Sequence, residues 1–240
     1  MIDLKKDVKY VKGVGPNRVQ LLNKLGIFTL EDLITYYPRT YEDRSKPKSL
    51  LECVDGEEAL IEVIAISKMI ESKFAKKTMQ RLMIRDSSSS AEAVWFNQTY
   101  LKSKFRVGQR YRMYGKIERK YGKITIASPV FDEYGSTQNT GRIIPIYPLT
   151  YQLSQNTLRK IIENAMAEVY GNLPETLPQY VIKTSRLLGI NDAIKTIHFP
   201  QELDDFKTAR RRLVFEELLI TQLSLMSLKN KEYNFHQNIK

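Results

Sequence analysis

Five short runs rich in β-branched and aromatic residues, a helical-looking stretch between the third and fourth, and helical periodicity on both sides predict an α+β chain. That element order predicts a five-stranded OB-fold β-barrel, flanked by an N-terminal helical segment and C-terminal helices. Charge adds a third observation. The whole formal net charge of +11 falls between Lys68 and Lys123, where 15 Lys and Arg face four acids. The remaining 184 residues balance 23 basic against 23 acidic side chains.

The elements follow in order. In GVGPNRVQLLNKLG, Pro16 stands at a first helical position and Val19, Leu22 and Leu25 recur at helical spacing, with Gly26 as the stop. Thr29 opens a second helix with Asp32 as partner in a variant capping box, and Pro38 ends it. Residues 1–47 thus form a helical segment of helix-hairpin-helix character. Residues 48–147 hold the barrel strands: ALIEVIAISKMI, TMQRLMIRD, SAEAVWFN, QRYRMYGKIER and YGKITIAS, with helical QTYLKSKFRVG between the third and fourth. An SH3-like barrel is the alternative, disfavoured by that interposed helix. Residues 148–240 return to helical patterns: SQNTLRKIIENAMAEVY, then YVIKTSRLLGI and NDAIKTIHFP, and a long helix from about Phe206. Its apolar residues exceed one stripe, so it expects cover on more than one side.

Composition excludes several classes. A single cysteine, Cys53, rules out an intramolecular disulfide framework, and His198 and His236 stand far from it, leaving no zinc site of usual spacing. The first residues lack the apolar core of a signal peptide, and no run approaches the length of a membrane span. The expectation is a cytoplasmic chain without a membrane partner. Gly115–Lys116 and Gly122–Lys123 lack the upstream glycine of a phosphate-binding loop, and no catalytic or metal-ligating set stands out.

A positive zone of this density attracts a polyanion, and nucleic acid is the commonest. Trp95, Phe96, Tyr100, Phe105, Tyr111, Tyr114 and Tyr121 lie within it. Trp95 and Phe96 are adjacent on a strand, so they point to opposite faces and one at most fills the barrel. The other is exposed for stacking on bases, or packed under another element. Arg110, Arg112 and Lys116 share one parity, unless a bulge at Gly115 changes it, and Arg119, Lys120 and Lys123 crown the turn. Lys76 and Lys77 extend the set from a neighbouring loop. These are the expected phosphate contacts; the alternative is a merely basic surface. Gly13 and Gly15 precede a helix in the manner of a helix-hairpin-helix turn that holds a phosphate, or of a hairpin that only packs.

With these residues in view, the chain resembles the RecG family of bacterial ATP-dependent DNA helicases. The resemblance rests on YPRTYEDR, VWFN, IYPLT, TLRK, IHFP and RRLVFEELL in that order. It implies a wedge barrel with flanking helices, cut off before the helicase motor, so that ATP and magnesium belong to the parent protein and this chain alone does not turn over ATP. It further implies branched DNA (replication forks and Holliday junctions) and single-stranded DNA as partners, in repair and recombination, with the motor domains following. By the match at AVWFN, Trp95 and Phe96 take the positions that stack on bases where the arms separate. A free-standing OB protein binding single-stranded DNA or RNA, and a module docking an acidic protein, are the competing readings.

Overall fold

The structure, a computed structural model, describes residues 2–74 and 77–237; Lys76 lies outside them. The chain divides into two compact units, residues 1–41 with 145–240, and residues 42–144. Strands β1 (Thr40–Asp43) and β9 (Ile143–Ile146) pair as a two-stranded ribbon where the chain leaves and rejoins the first unit.

The first unit is helical: α1 (Pro16–Asn23), α2 (Leu30–Ile34), α3 (Gln155–Val169), α4 (Gln179–Thr184), α5 (Ile190–His198) and α6 (Asp205–Gln237). At α2 the Asp32 amide donates to the Thr29 hydroxyl at 3.1 Å and the Thr29 amide to the Asp32 carboxylate at 2.9 Å, completing the capping box. The helix ends at Ile34, short of Pro38. The stretch expected to be helical from Tyr180 to Ile190 is so only to Thr184, because Arg186 adopts φ 49° and leaves the right-handed region. Leu22, Leu30, Leu33, Leu158, Ile162 and Val169 are wholly buried in one core, so residues from both ends of the chain share it. Arg212 on α6 is fully buried between Glu175 at 2.6 Å and Glu216 at 2.5 Å, which ties this helix to the loop before α4. Further along α6, Leu218, Ile220, Leu223, Leu225, Met226 and Leu228 are exposed.

The second unit is the barrel. Its strands are β2 (Pro47–Lys48), β3 (Glu58–Ala65), β4 (Ile70–Phe74), β5 (Lys77–Arg85), β6 (Ser90–Phe96), β7 (Arg110–Lys120) and β8 (Lys123–Glu133). The order β3-β7-β8-β6-β5 closes on itself through pairing of Ile64 with Arg85 and Ala65 with Ile84. In that ring only β6–β8 is parallel. Five ring strands with a short 3₁₀ turn at Thr99–Ser103 between β6 and β7 make the OB-type barrel. β2 and β4 are additions to its edges.

Two strands differ from expectation. The run ALIEVIAISKMI is two strands, because the Ser67 hydroxyl, in place of a backbone carbonyl, accepts the Met83 amide at 3.1 Å and the ladder stops. β8 runs on to Glu133 through a bulge: Tyr114 pairs with Val130 but Lys116 with Ala127, so β8 carries one extra residue there. Ser128 takes φ 44° at this bulge. Gly115 faces it, and a Cβ there would sit 3.0 Å from the Pro129 Cα, so only glycine allows this approach.

Candidate nucleic-acid interface

The barrel sorts its side chains by strand parity. On β6, Ala91, Ala93 and Trp95 point inward, while Glu92, Val94 and Phe96 share the outer face. Trp95 is 1% exposed, its Nε1 donates to the Pro129 carbonyl at 2.8 Å, and its ring lies 5.3 Å from Phe105 and 6.4 Å from Phe131. The expectation that Trp95 stacks on bases is therefore corrected. Both faces of the indole serve the core, and its polar atom is satisfied there. Phe96 is 50% exposed and pairs in register with Met79.

The chain beyond Phe96 holds that ring in place. Asn97 takes φ 56°, its amide donates to the Thr78 carbonyl at 2.7 Å, and its side-chain oxygen accepts the Thr78 amide at 2.9 Å. β6 is thereby locked to β5 immediately after the aromatic. The following 3₁₀ turn then presents Tyr100, also exposed, with its hydroxyl donating to Gln98 at 3.0 Å. Tyr100 sits four residues past Phe96. Sequence parity alone does not find it, because it lies off the strand.

Register continues the outer face across the sheet. Arg81 pairs with Val94, Val94 with Ala127, and Ala127 with Lys116, a row across β5, β6, β8 and β7. The neighbouring row is Met83, Glu92, Thr125 and Glu118, and Lys120 pairs with Lys123 where the β7–β8 hairpin turns. Lys116 and Lys123 are exposed and, among the described residues, carry no acidic partner within salt-bridge distance; Lys77 is exposed at the start of β5. Among the described residues Lys120 reaches only the half-exposed Glu118, at 3.2 Å. Such a surface pair is worth little and yields readily to a phosphate.

The other expected cations divide. Arg110 is exposed, with its guanidinium 5.7 Å from the Tyr134 ring. It and Arg85 flank Ile64 in register, a second basic spot that parity on β5 would have revealed. Arg112 is engaged within the barrel: its Nε donates to Glu62 at 2.8 Å, and its guanidinium lies 5.2 Å over Tyr134. Arg119 is engaged likewise, since its Nη2 donates to the Leu50 and Leu51 carbonyls at 2.6 and 3.0 Å. In both cases the partner comes from upstream of Lys68. Glu58 is another such neighbour. It accepts the Tyr114 hydroxyl at 3.0 Å, and burial, with this carboxylate second, pushes that hydroxyl's pKa up.

Gly13 and Gly15 lie in the helical unit. Gly13 has φ 95°, and a Cβ on it would come 3.3 Å from Asn164 Nδ2 of α3. The same Asn164 amide donates to the Lys12 carbonyl at 2.7 Å, and Arg18 to the Gly13 carbonyl at 2.6 Å. Gly15 is the N-cap residue of α1. The structure thus places this turn against a helix of its own unit. Among the described residues no group of three or more His, Cys, Asp or Glu is placed to hold a metal, and no helix is long and apolar enough to cross a membrane.

Comparison with known proteins then places the chain. Residues 7–169 match the family model described as the RecG wedge domain. The ATP-dependent DNA helicase RecG of Thermotoga maritima is 35% identical over 246 residues, covering 99% of this chain and 31% of the relative. That of Streptococcus pneumoniae is 31% identical, covering 96% and 34%. A solved structure of RecG bound to a three-way DNA junction superposes with a TM-score of 0.86 at 34% identity, over 96% of this chain and 32% of that one. The chain spans about a third of the length of these relatives. With a barrel of this topology and a family model covering most of its length, the chain belongs to the RecG wedge domain family.

Proposed function

We propose that the barrel unit is the junction-contacting part of an ATP-dependent DNA helicase that remodels stalled replication forks and Holliday junctions in repair and recombination. Phe96 and Tyr100 stack on bases where duplex arms part. Lys77, Arg81, Lys116, Lys120 and Lys123 hold the backbone alongside, and Arg110 with Arg85 offers a further phosphate contact. The observation that carries this reading is Phe96, half exposed at a locked strand end, on the same outer face as lysines that have no acidic partner among the described residues.

Magnitudes fit that role. One aromatic–base stack is worth about 1–3 kcal/mol, while parting one base-pair step costs about 1.4 kcal/mol. A stacked base therefore roughly offsets one opened step. The wedge can hold a junction open without driving it; driving needs the motor. In this reading ATP, its magnesium and the motor domains belong to the two thirds of the relatives' length that this chain does not span, and the whole protein works in the bacterial cytoplasm.

The test compares this chain's affinity for a three-way junction, a fork, linear duplex and single strand at one fixed salt concentration. The expected outcome is tightest binding to the branched forms. Equal affinity for unstructured single strand and junction would instead favour a free-standing single-strand binder.

A further inference from the structure

At the tip of the β7–β8 hairpin, Lys120 and Lys123 pair and leave a two-residue loop, Tyr121–Gly122. Both loop residues have positive φ, 51° and 74°, as a type I′ turn requires. The favoured residue at the first of these positions is Asn, Asp or Gly, and a bulky aromatic there is an outlier that strains the backbone. Tyr121 gains nothing from the fold in return. Its side chain is as exposed as in a free peptide, at 102%, and among the described residues it has no hydrogen-bond or ring partner. The hairpin beneath it is nevertheless braced. The Arg119 amide donates to Asp55 at 2.7 Å, and the Arg119 guanidinium holds the Leu50 and Leu51 carbonyls. A strained, wholly exposed aromatic on a stiff stem between two lysines points to a ligand rather than to packing.

We propose that Tyr121 is a separate base-stacking contact for nucleic acid, at the opposite end of the basic face from Phe96. The inference rests on the nucleic-acid reading of the barrel. Register sets the separation. Glu92 on β6 is level with Thr125 on β8, so Lys123 is level with Ser90, six residues from Phe96 along β6. At about 3.3 Å per residue Lys123 stands about 20 Å from Phe96 along the strands, and Tyr121 lies in the turn just beyond it. One strand of B-form DNA advances about 3.4 Å per nucleotide, so this distance spans about six nucleotides. Lys116, Lys120 and Lys123 line the interval, where the backbone would run. Tyr121 then meets bases unpaired some six nucleotides from those on Phe96, or the exposed terminal pair of an arm.

The experiment measures binding of this chain to forks whose single-stranded arms are two or ten nucleotides long. Tyr121→Asn replaces the outlier with a residue that favours the turn, so its thermal midpoint is expected to equal or exceed that of the unaltered chain. Its affinity for the ten-nucleotide fork is expected to fall about 5- to 150-fold, the range for one stacked base, with the salt slope unchanged because no charge is removed. Tyr121→Phe should retain the affinity. If Tyr121→Asn folds and binds that fork as the unaltered chain does while Phe96→Leu is impaired, the Tyr121 contact is refuted and the barrel reading stands. If the unaltered chain binds no DNA, both fall. A loss in Tyr121→Phe equal to that in Tyr121→Asn would refute stacking in favour of a hydroxyl contact.

Discussion

Trp95 and Phe96 are adjacent and aromatic, yet replacing them should produce opposite phenotypes. Trp95 is buried among Phe105, Phe131 and Gln80, so Trp95→Ala should destabilise the barrel by about 3–5 kcal/mol for the lost ring. The Pro129 carbonyl loses its donor as well, adding about 1–3 kcal/mol. Phe96 is half exposed, so only about 100 Å² of a typical 200 Å² ring is covered, worth about 2.5 kcal/mol at 25 cal/mol per Å². Leucine keeps most of that area, and Phe96→Leu should therefore shift stability by about 1 kcal/mol or less. What it removes is the flat π-face, so fork affinity should fall by about 1–3 kcal/mol. Urea unfolding followed by far-UV circular dichroism reads the first quantity, and anisotropy of a labelled fork reads the second. Trp95 is the sole tryptophan, so its emission reports the barrel core directly. It should resist acrylamide quenching and stay nearly unchanged when DNA binds. Strong quenching of Trp95 by DNA, or unaltered fork binding by folded Phe96→Leu, would refute this assignment of the two rings.

Two further predictions concern charge. Replacing Lys116, Lys120 and Lys123 by Gln should flatten the dependence of log K on log salt by up to about 0.9 per lost contact on duplex, or about 0.7 on single strand, with little change in stability. Arg119→Gln should instead lower the unfolding midpoint and leave the slope alone; the reverse pattern would show that Arg119 faces the DNA. In the helical unit His198 is fully buried, its Nε2 2.8 Å from the Ile34 carbonyl and its Nδ1 2.9 Å from the Tyr147 hydroxyl. Burial pushes its pKa down from 6.5 to about 4, against the opposing pull of the Ile34 hydrogen bond. The unfolded chain therefore binds the proton first. The stability held above pH about 6.5 should drain away as pH falls toward 4, by at most about 3 kcal/mol. Urea midpoints measured between pH 7 and 4.5 check this, and a flat profile above pH 5 would refute it.

The barrel was legible because its strands obey a period of two and its turns carry the expected chemistry. The Thr29–Asp32 cap was legible for the same reason: local hydrogen bonds have local signatures. Even the choice between the two aromatics was available, since Phe96 shares its parity with Glu92 and Trp95 shares its own with two alanines. Cross-strand partners were not available. Glu62 lies 50 residues from Arg112, and Leu50 lies 69 from Arg119, and no local pattern joins them. Nor does periodicity reveal Tyr100, which a 3₁₀ turn carries outward beyond the last strand residue.

This difference explains why a charge count along the chain overstates the free positive charge on the barrel surface. The window from Lys68 to Lys123 holds 15 cations, but folding brings Glu62 and the Leu50–Leu51 carbonyls to two of them from outside it. Those two arginines act as rigid struts. Arg112 ties β7 to β3, and Arg119 ties the hairpin to the loop before β3. The lysines differ chemically: among the described residues Lys116 and Lys123 have no acidic partner and stay exposed, and Lys120 has a weak surface pair. Guanidinium groups with planar, multiple donors suit fixed internal geometry, whereas an ammonium on a flexible stem suits a phosphate whose position varies. Arginines that stiffen the hairpin and lysines that remain free on its surface are thus two parts of one arrangement. The first holds Tyr121 and the outer face of β7 in a set position. The second supplies charge without demanding a fixed path, as the proposed contact with differently branched DNA would require.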